Sequence, residues 1–161
     1  MNKDKAKVRI TKDKSSPRIP IAYIDIRYSI HATEDPNRVI KAIHHVLPTR
    51  YVDDIIFDRD NLRGYYGNPI NLFKTRIKKK EIIRAFIENL SSQLNELNKE
   101  RFLREISLHL ENGSLYLRLD KQIAFQGELE FNTVDPIRVR IRFRKKKNED
   151  ITQICRDLKL V

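Results

Sequence analysis

The chain has 161 residues, and 33 Lys and Arg against 22 Asp and Glu give it a formal net charge of +11. This length suits one domain with a real core, and the hydrophobic content of 40% is that of a globular protein. The single cysteine excludes an internal disulfide and every multi-cysteine metal site, which favours a reducing, cytoplasmic location. A membrane-spanning helix needs about 20 consecutive apolar residues, and no segment approaches this length. The lysine-rich N-terminal segment lacks the apolar core of a signal peptide.

The excess charge lies at the two ends of the chain. Residues 1–18 hold seven Lys and Arg and two Asp, while residues 136–161 hold nine Lys and Arg and three acids. The acids and bases between them cancel. Such a distribution is typical of a protein that holds nucleic acid or another polyanion. We expect residues 1–18 to form a basic flexible arm and residues 19–161 to form a single domain.

The first elements of that domain are a strand and a helix. Alternating apolar residues predict a strand with one buried face, formed by Ala22, Ile24, Ile26, Tyr28 and Ile30. Thr33 is the expected N-cap of the helix that follows, with Pro36 in its first turn. Pro48 is expected to end this helix.

A second hairpin and a long helix follow. Strands over 51–63 and 69–78 flank the segment Gly64–Asn68, whose two glycines and asparagine permit the positive φ of a tight turn. This turn is expected to present Tyr65 and Tyr66 at a projecting tip. Apolar residues at helical spacing over 79–97 predict the longest helix.

The clearest hairpin is predicted over 102–110 and 115–120, with Asn112-Gly113 as a type I′ turn. Pairing Leu110 with Leu115 would place Leu108 opposite Leu117, and Ile106 opposite Leu119, on the inner face. The outer face would carry residues 107, 109, 116 and 118.

The remaining segments complete the predicted order. They are a tight crossing at 121–125, a short strand at 128–132, a strand at 136–144 and an amphipathic helix at 148–160. Short connections between strands imply an antiparallel sheet with the helices gathered on one face. The sequence therefore predicts an α+β fold, a two-layer sandwich whose other sheet face is open.

The strand at 136–144 carries the most informative pattern in the chain. Four arginines alternate with four apolar residues, so their guanidiniums share one face. Each is a planar fork suited to phosphate oxygens. The arginines are Arg138, Arg140, Arg142 and Arg144, and the lysines Lys145, Lys146 and Lys147 follow directly. The alternative is the ordinary solvated side of a half-buried strand.

Catalytic and metal-binding patterns are not evident in the sequence. The four histidines have no metal-ligand spacing, and an exposed strand explains the acids at 53–60 better than a catalytic cluster does. There is no glycine-rich phosphate loop and no nucleophile motif. We expect a protein that is not an enzyme and needs no cofactor or metal.

Three segments carry a family resemblance: His31–Pro36, Tyr66–Ile70 and, most specifically, Leu115–Gly127. They resemble an archaeal family of predicted RNA-binding proteins that are also described as predicted exosome subunits. The resemblance runs from about residue 21 to residue 143. It implies a fold like that of the ribosomal large-subunit protein that binds 5S ribosomal RNA, an archaeal source, and a role in RNA metabolism.

Two functions are consistent with these features. The first is a non-catalytic RNA-binding protein of RNA processing, exosome-associated degradation or ribosome assembly. Its phosphate contacts would come from the four arginines and three lysines of residues 138–147, and its base contacts from Tyr65, Tyr66 and Tyr116, with Arg118 and Lys121 beside them. The second is a protein-interaction subunit that docks on a larger assembly without touching RNA.

Overall fold

The computed structural model describes residues 19–161, so the expected arm at 1–18 lies outside the described residues. The strands are β1 (Ile21–His31), β2 (Asp58–Arg63), β3 (Pro69–Ile77), β4 (Leu110–Glu111), β5 (Ser114–Leu119) and β6 (Ile137–Phe143). The α-helices are α1 (Pro36–Val46), α2 (Lys80–Gln93), α3 (Glu96–Glu105), α4 (Lys121–Phe125) and α5 (Asn148–Asp157). Among the described residues, no helix is both long enough and apolar enough to span a membrane.

The strands form one sheet in the order β2-β3-β1-β6-β5-β4, and every neighbouring pair is antiparallel. The two central strands, β1 and β6, are the first and the last strands in the sequence. One face of the sheet packs on the helices in a single apolar core. The predicted α+β fold with an antiparallel sheet is confirmed.

A register shift between Ile21 and Tyr23 fixes which residues of β1 face the core. Ile24, Ile26, Tyr28 and Ile30 are buried as predicted. Because of the shift, the buried position at the start of the strand belongs to Ile21, and the prediction of Ala22 as a core residue is wrong. In β6 the apolar residues are all buried and the arginines lie on the other face.

Helix α1 begins two residues later than the sequence indicated. Asp35 is its N-cap, and the carboxylate of Asp35 accepts a hydrogen bond from the backbone N–H of Asn37 at 3.0 Å. The prediction of Thr33 as the cap is wrong, because Asp35 directly precedes a proline that suits the first helical position. Pro48 lies just after the helix, as expected.

Two predicted elements are shorter than expected. The first half of the strand at 51–63 is a 3₁₀ helix, Thr49–Asp54, so the strand itself begins at Asp58. The helix at 79–97 stops at Gln93, since Asn95 caps a new helix by accepting from the N–H of Asn98 at 2.8 Å. A side chain that caps α3 therefore divides the periodic segment in two.

The prediction of a hairpin over residues 102–120 is correct only around its turn. Asn112 and Gly113 have φ of 48° and 83°, as a type I′ turn requires, and Leu110 pairs with Leu115. Residues 102–105 belong to α3 and Ile106–His109 form a 3₁₀ helix, so the predicted pairs Leu108–Leu117 and Ile106–Leu119 are wrong. Leu108 is 81% exposed.

The segments on either side of residue 127 also differ from the prediction. Residues 121–125 form the short helix α4, capped by the Asp120 carboxylate, which accepts from the N–H of Ile123 at 2.9 Å. The strand expected at 128–132 is reduced to one bridge between Leu119 and Phe131. The predicted C-terminal helix is confirmed and buries Ile151 and Cys155.

Candidate nucleic-acid interface

The open face of the sheet is formed by the side chains that alternate with the core residues. Four neighbouring strands contribute charged and aromatic groups to it. They are Tyr23, Asp25 and Arg27 from β1, Lys74 and Arg76 from β3, Arg138, Arg140 and Arg142 from β6, and Tyr116 and Arg118 from β5. The arginine alternation in β6 thus becomes one column of a two-dimensional surface.

Three arginines lie side by side across this face, and we call them the arginine row: Arg27, Arg138 and Arg118. Arg138 is directly opposite Arg27 in the β1–β6 ladder and directly opposite Arg118 in the β5–β6 ladder. Within residues 19–161, none of the three lies within ion-pair distance of a carboxylate. Like charges at directly opposed positions destabilise a sheet, so the row carries positive charge that this domain leaves uncompensated.

Lys74 continues the row onto β3, since it lies opposite Arg27. Its ammonium is 3.4 Å from the Asp60 carboxylate, so its charge is already compensated in part. The excess positive charge is therefore greatest over β1, β6 and β5.

A second row, one step further along the strands, contains an acid. The Asp25 carboxylate accepts two hydrogen bonds from the Arg76 guanidinium, at 2.7 and 3.0 Å. The hydrogen bond to Asp25 raises the pKa of Arg76. The same guanidinium lies over the Tyr23 ring, 3.9 Å from its centroid. This pair fixes the orientation of an aromatic face beside the arginine row.

Arg140 lies between two tyrosine rings. Its guanidinium carbon is 5.8 Å from the centroid of Tyr23 and 5.7 Å from that of Tyr116, and its Nε donates to the Ser114 hydroxyl at 2.9 Å. A depression of about 280 Å³ lies between this group and the arginine row. Flat aromatic and guanidinium surfaces thus adjoin the positive charge of the row.

Arg142, the last basic residue of β6, and the basic residues that follow the strand have different surroundings. Arg142 donates to the carbonyl of Asn112 and packs against the turn, so it holds the β4–β5 hairpin in place. Arg144 is exposed, and its backbone N–H donates to the carbonyl of Pro20 at 2.9 Å. The lysines at 145–147 are exposed as well. They form a basic patch beside the first described residues.

The tyrosine tip, Tyr65 and Tyr66, is exposed as predicted, at 96% and 86%. The two rings contact each other edge to face with centroids 5.0 Å apart. The tip comes just before Ile70 of β3, which pairs with His31 of β1. His31 is four residues along β1 from Arg27, a distance of about 13 Å. The structure therefore places the tip away from the arginine row.

Lys121 does not belong to either surface. Its side chain is 8% exposed, and its ammonium donates to the Ser29 carbonyl at 2.6 Å, to Asp135 at 2.7 Å and to Glu34 at 3.1 Å. These contacts tie the end of β1 to the segment before β6. The expectation that Lys121 lies beside bound bases is wrong, because all its donors point inward to these oxygens.

The same cluster brings together the one group of metal-ligand types found among the described residues: His31, Glu34 and Asp135. The Lys121 ammonium lies within 3.2 Å of both carboxylates. It takes the place that a cation bound by these groups would occupy. His31 Nε2 lies 3.2 Å from the same Asp135 carboxylate oxygen.

Sequence reasoning finds the basic and aromatic residues that β6 and β5 contribute to this face, and it misses those of β1 and β3. Tyr23, Arg27 and Arg76 are site residues that it does not identify, although Tyr23 and Arg27 lie at the polar positions of a predicted strand. Their alternation is visible in the sequence, but which strands lie beside the arginine strand, and in which register, is not.

Comparisons with known proteins agree with this geometry. A family model described as RNA binding matches residues 23–143. The RNA-binding protein PAB1135 of Pyrococcus abyssi is 33% identical over 139 residues, which cover 83% of this chain and 90% of that protein. The protein MJ0213 of Methanocaldococcus jannaschii is 33% identical over 135 residues, 78% of this chain and 89% of the other.

Solved structures show the same fold. Mth689, a DUF54 protein from Methanothermobacter thermautotrophicus, superposes with a TM-score of 0.71 at 29% identity. The match covers 86% of this chain and 97% of that one. The arginine row and its neighbouring strands lie within the matched residues 23–143, and the chain belongs to this archaeal RNA-binding family.

Proposed function

We propose that the protein binds single-stranded RNA on the open face of its sheet. Phosphates lie on the arginine row, and bases stack on the Tyr23 and Tyr116 rings that flank Arg140. The basic patch at 144–147 extends the phosphate contacts. The proposal is supported by the family description and by the contacts of the open face.

The arginine row is the observation that carries this proposal. A merely solvated strand face gains stability when acids alternate with bases, as Asp25 does between Arg76 and Arg140 in the neighbouring row. The three arginines instead face one another with no carboxylate at ion-pair distance in the described domain. Bound phosphates would supply the missing negative charge, and the planar guanidinium suits their oxygens.

The aromatic groups favour a single strand over a duplex. Bases in a duplex are stacked on each other and cannot reach a protein ring, whereas unpaired bases stack on aromatic side chains and on guanidinium planes. Tyr23 and Tyr116 lie two strands apart on the open face, with Arg140 between them. An open sheet of this kind leaves room for a splayed strand.

We infer a non-catalytic role in cytoplasmic RNA metabolism. The single group of metal-ligand types in residues 19–161 is bridged by the Lys121 ammonium, so its carboxylates are not free to hold the metal ion of a metal-dependent nuclease. The family resemblance favours RNA processing or exosome-associated degradation, with ribosome assembly as the other setting. Affinity purification of the tagged protein from its own cells separates the two by co-purification of exosome subunits or of ribosomal particles.

The competing function is a docking subunit that does not touch RNA. Its natural docking element is β2, an edge strand that is exposed along almost its whole length. Charged residues occupy both ends of this strand, with Asp58, Arg59 and Asp60 at its start and Arg63 at its end. Charges of this kind discourage edge-to-edge pairing, so β2 is poorly suited to recruit a partner strand.

Titration of the purified protein with labelled single-stranded RNA at two salt concentrations tests the proposal. We expect binding that weakens with salt. Three phosphates on the row contribute about −2 to the slope of log affinity against log salt, and contacts to the basic patch make the slope steeper. An unlabelled RNA duplex should compete poorly. Little binding at either salt concentration would contradict RNA binding and favour the docking subunit.

A further inference from the structure

A cleft opens at the outer edge of β5, on the side away from β6. Strand β4 pairs with β5 only through Leu110–Leu115 and Glu111–Ser114, and the edge is covered again where Leu119 bridges to Phe131. Between these closures the outer edge of β5 has no partner strand within the described residues, although its other edge is paired with β6. The cleft fills this gap and has a volume of about 320 Å³.

The size of the gap limits what can enter it. The closing positions on β5, Leu115 and Leu119, are four residues apart, or about 13 Å. An added peptide strand usually needs about five or six residues of free edge, so strand addition does not fit. The volume is at the lower end of the range of about 300–1,000 Å³ for small-ligand pockets, which suits one planar group.

Four of the side chains that line the cleft are aromatic. Phe131 is stacked on Phe102 with ring centroids 5.1 Å apart, and His109 lies against the same Phe102 ring at 5.0 Å. Tyr116 lines the cleft from β5, beside Leu117 and Arg118. Burial lowers the pKa of His109, and the nearby Arg118 lowers it further, against an opposing effect of Glu105. The imidazole is thus a neutral flat surface near pH 7.

The mouth of the cleft carries positive charge. Arg118, the end of the arginine row, lines both the cleft and the depression on the open face. Tyr116 is also shared between the two. Arg101 also lines the cleft, with its Nε 3.6 Å from Glu105. The cleft and the arginine row therefore adjoin each other through Arg118.

We propose that this cleft receives one unpaired nucleobase of the RNA strand whose phosphates lie on the arginine row. The inference rests on the proposed function and adds to it a binding site for one base, which we call the base seat: the cleft at the outer edge of β5. The base stacks on the half-buried ring of Phe131 or of His109, and Arg101 and Arg118 hold the flanking phosphates.

The test uses Phe131→Leu, which removes the aromatic wall and keeps an apolar side chain. Phe73→Leu is the matched control, because Phe73 is also half-buried but stacks on Tyr28 on the core face of β3. Binding of a labelled single-stranded RNA is measured for both variants. We expect Phe131→Leu to weaken binding by about 5- to 150-fold with an unchanged salt slope, since stacking carries no charge. Phe73→Leu should bind as the wild type does.

A second variant keeps the test decisive if Phe131→Leu is poorly folded. Thr133 is exposed at the cleft mouth, so Thr133→Trp should fill the cleft without disturbing the core. With 2-aminopurine placed at each position of the RNA in turn, the base that leaves the stack of its neighbours to enter the cleft should brighten most on binding to the wild type. Thr133→Trp should abolish this increase at that position alone.

The outcomes separate the two proposals. If the wild type does not bind RNA, the proposed function fails. If it binds RNA but Thr133→Trp and Phe131→Leu bind with wild-type affinity and with the wild-type pattern of 2-aminopurine fluorescence, the base seat is excluded and the open-face proposal stands. That second result is also the one expected if a partner protein, rather than a base, occupies the cleft.

Discussion

Arg27 of β1 and Arg138 of β6 occupy directly opposed positions in the central antiparallel ladder. Side chains at such positions are close enough to interact, and like charges there lower the stability of the sheet. Nothing in the described part of the chain pairs with either guanidinium as an ion pair. The sheet therefore carries a cost that binding of an anion would remove.

Removing this pair should have opposite effects on folding and on binding. In Arg27→Gln/Arg138→Gln, we expect the free energy of unfolding to rise by up to about 1 kcal/mol at low salt. The salt slope of RNA binding should become shallower by about 1.4, because the variant can no longer neutralise two of the phosphates. Arg104→Gln/Arg156→Gln, with the same charge change on exposed helical positions, is the control. Equal binding by the two variants would remove the arginine row from the site.

Lys121 should be needed for stability and not for RNA binding. Lys121→Met leaves the carboxylates of Glu34 and Asp135 without their ammonium partner, so we expect unfolding at lower denaturant and a loss of about 1.5–3 kcal/mol. The salt slope of RNA binding should not change. Lys146→Met, at an exposed site, should show the reverse pattern. A Lys121→Met protein of normal stability would contradict the structural role.

The tyrosine tip should be dispensable for folding. Both rings are almost fully exposed, so Tyr65→Ala/Tyr66→Ala should cost less than about 1 kcal/mol in urea unfolding, well below a large-to-small change in the core. If the tip stacks bases, RNA affinity should fall by about 1–3 kcal/mol per base, and the loss should persist at high salt. Tyr28→Ala, which removes a buried ring, is the contrasting variant. Wild-type RNA binding by the double variant would show that the tip is not part of the site.

Stability should decrease in mild acid because of His109. Its pKa lies below the ordinary value in the folded protein, chiefly because burial disfavours the charged ring, so the unfolded chain binds the proton more readily. The stabilising effect is complete above the unfolded pKa of about 6.5 and is lost as the pH falls through the lower folded value. Melting temperatures between about pH 7.5 and pH 5 should therefore fall less in His109→Gln than in the wild type. His44→Gln, at an exposed histidine, should follow the wild type.

The single cysteine should be unreactive in the native protein. Cys155 is completely buried in α5, and burial raises the pKa of its thiol to about 12. Since the thiolate is the nucleophile, a thiol reagent at about pH 8 should modify the protein only at the rate at which the structure opens. Adding urea should accelerate the reaction in parallel with unfolding. Rapid modification without urea would show that α5 detaches easily.

Local patterns in the sequence are enough to find the central strands. In β1 and β6 apolar residues alternate with polar ones over most of each strand, and this alternation is dictated by a sheet with one buried face. The Asn112-Gly113 turn is also evident, because few other residue pairs adopt its positive φ angles. Where local chemistry determines the conformation, the predictions hold.

The errors arise where tertiary contacts determine the conformation of the chain. The apolar spacing of residues 102–109 predicts a strand, but the chain is helical there, and Phe102 and Ile106 are buried on the same side of consecutive turns. The arginine row and the cleft depend on which strands are neighbours. No local pattern states that β1 lies between β3 and β6, and so the sequence alone does not place Arg27 beside Arg138.

The order of the strands also determines when the interface can exist during synthesis. Strand β1 pairs with β6, which ends at Phe143 near the C-terminal end of the 161 residues. Closing so long a stretch of chain is entropically costly and makes such contacts slow to form. A nascent chain whose β6 has not yet left the ribosome has neither the central strand pair nor the arginine row. The arginine row is therefore completed in one late step, and chains truncated before β6 should lack it.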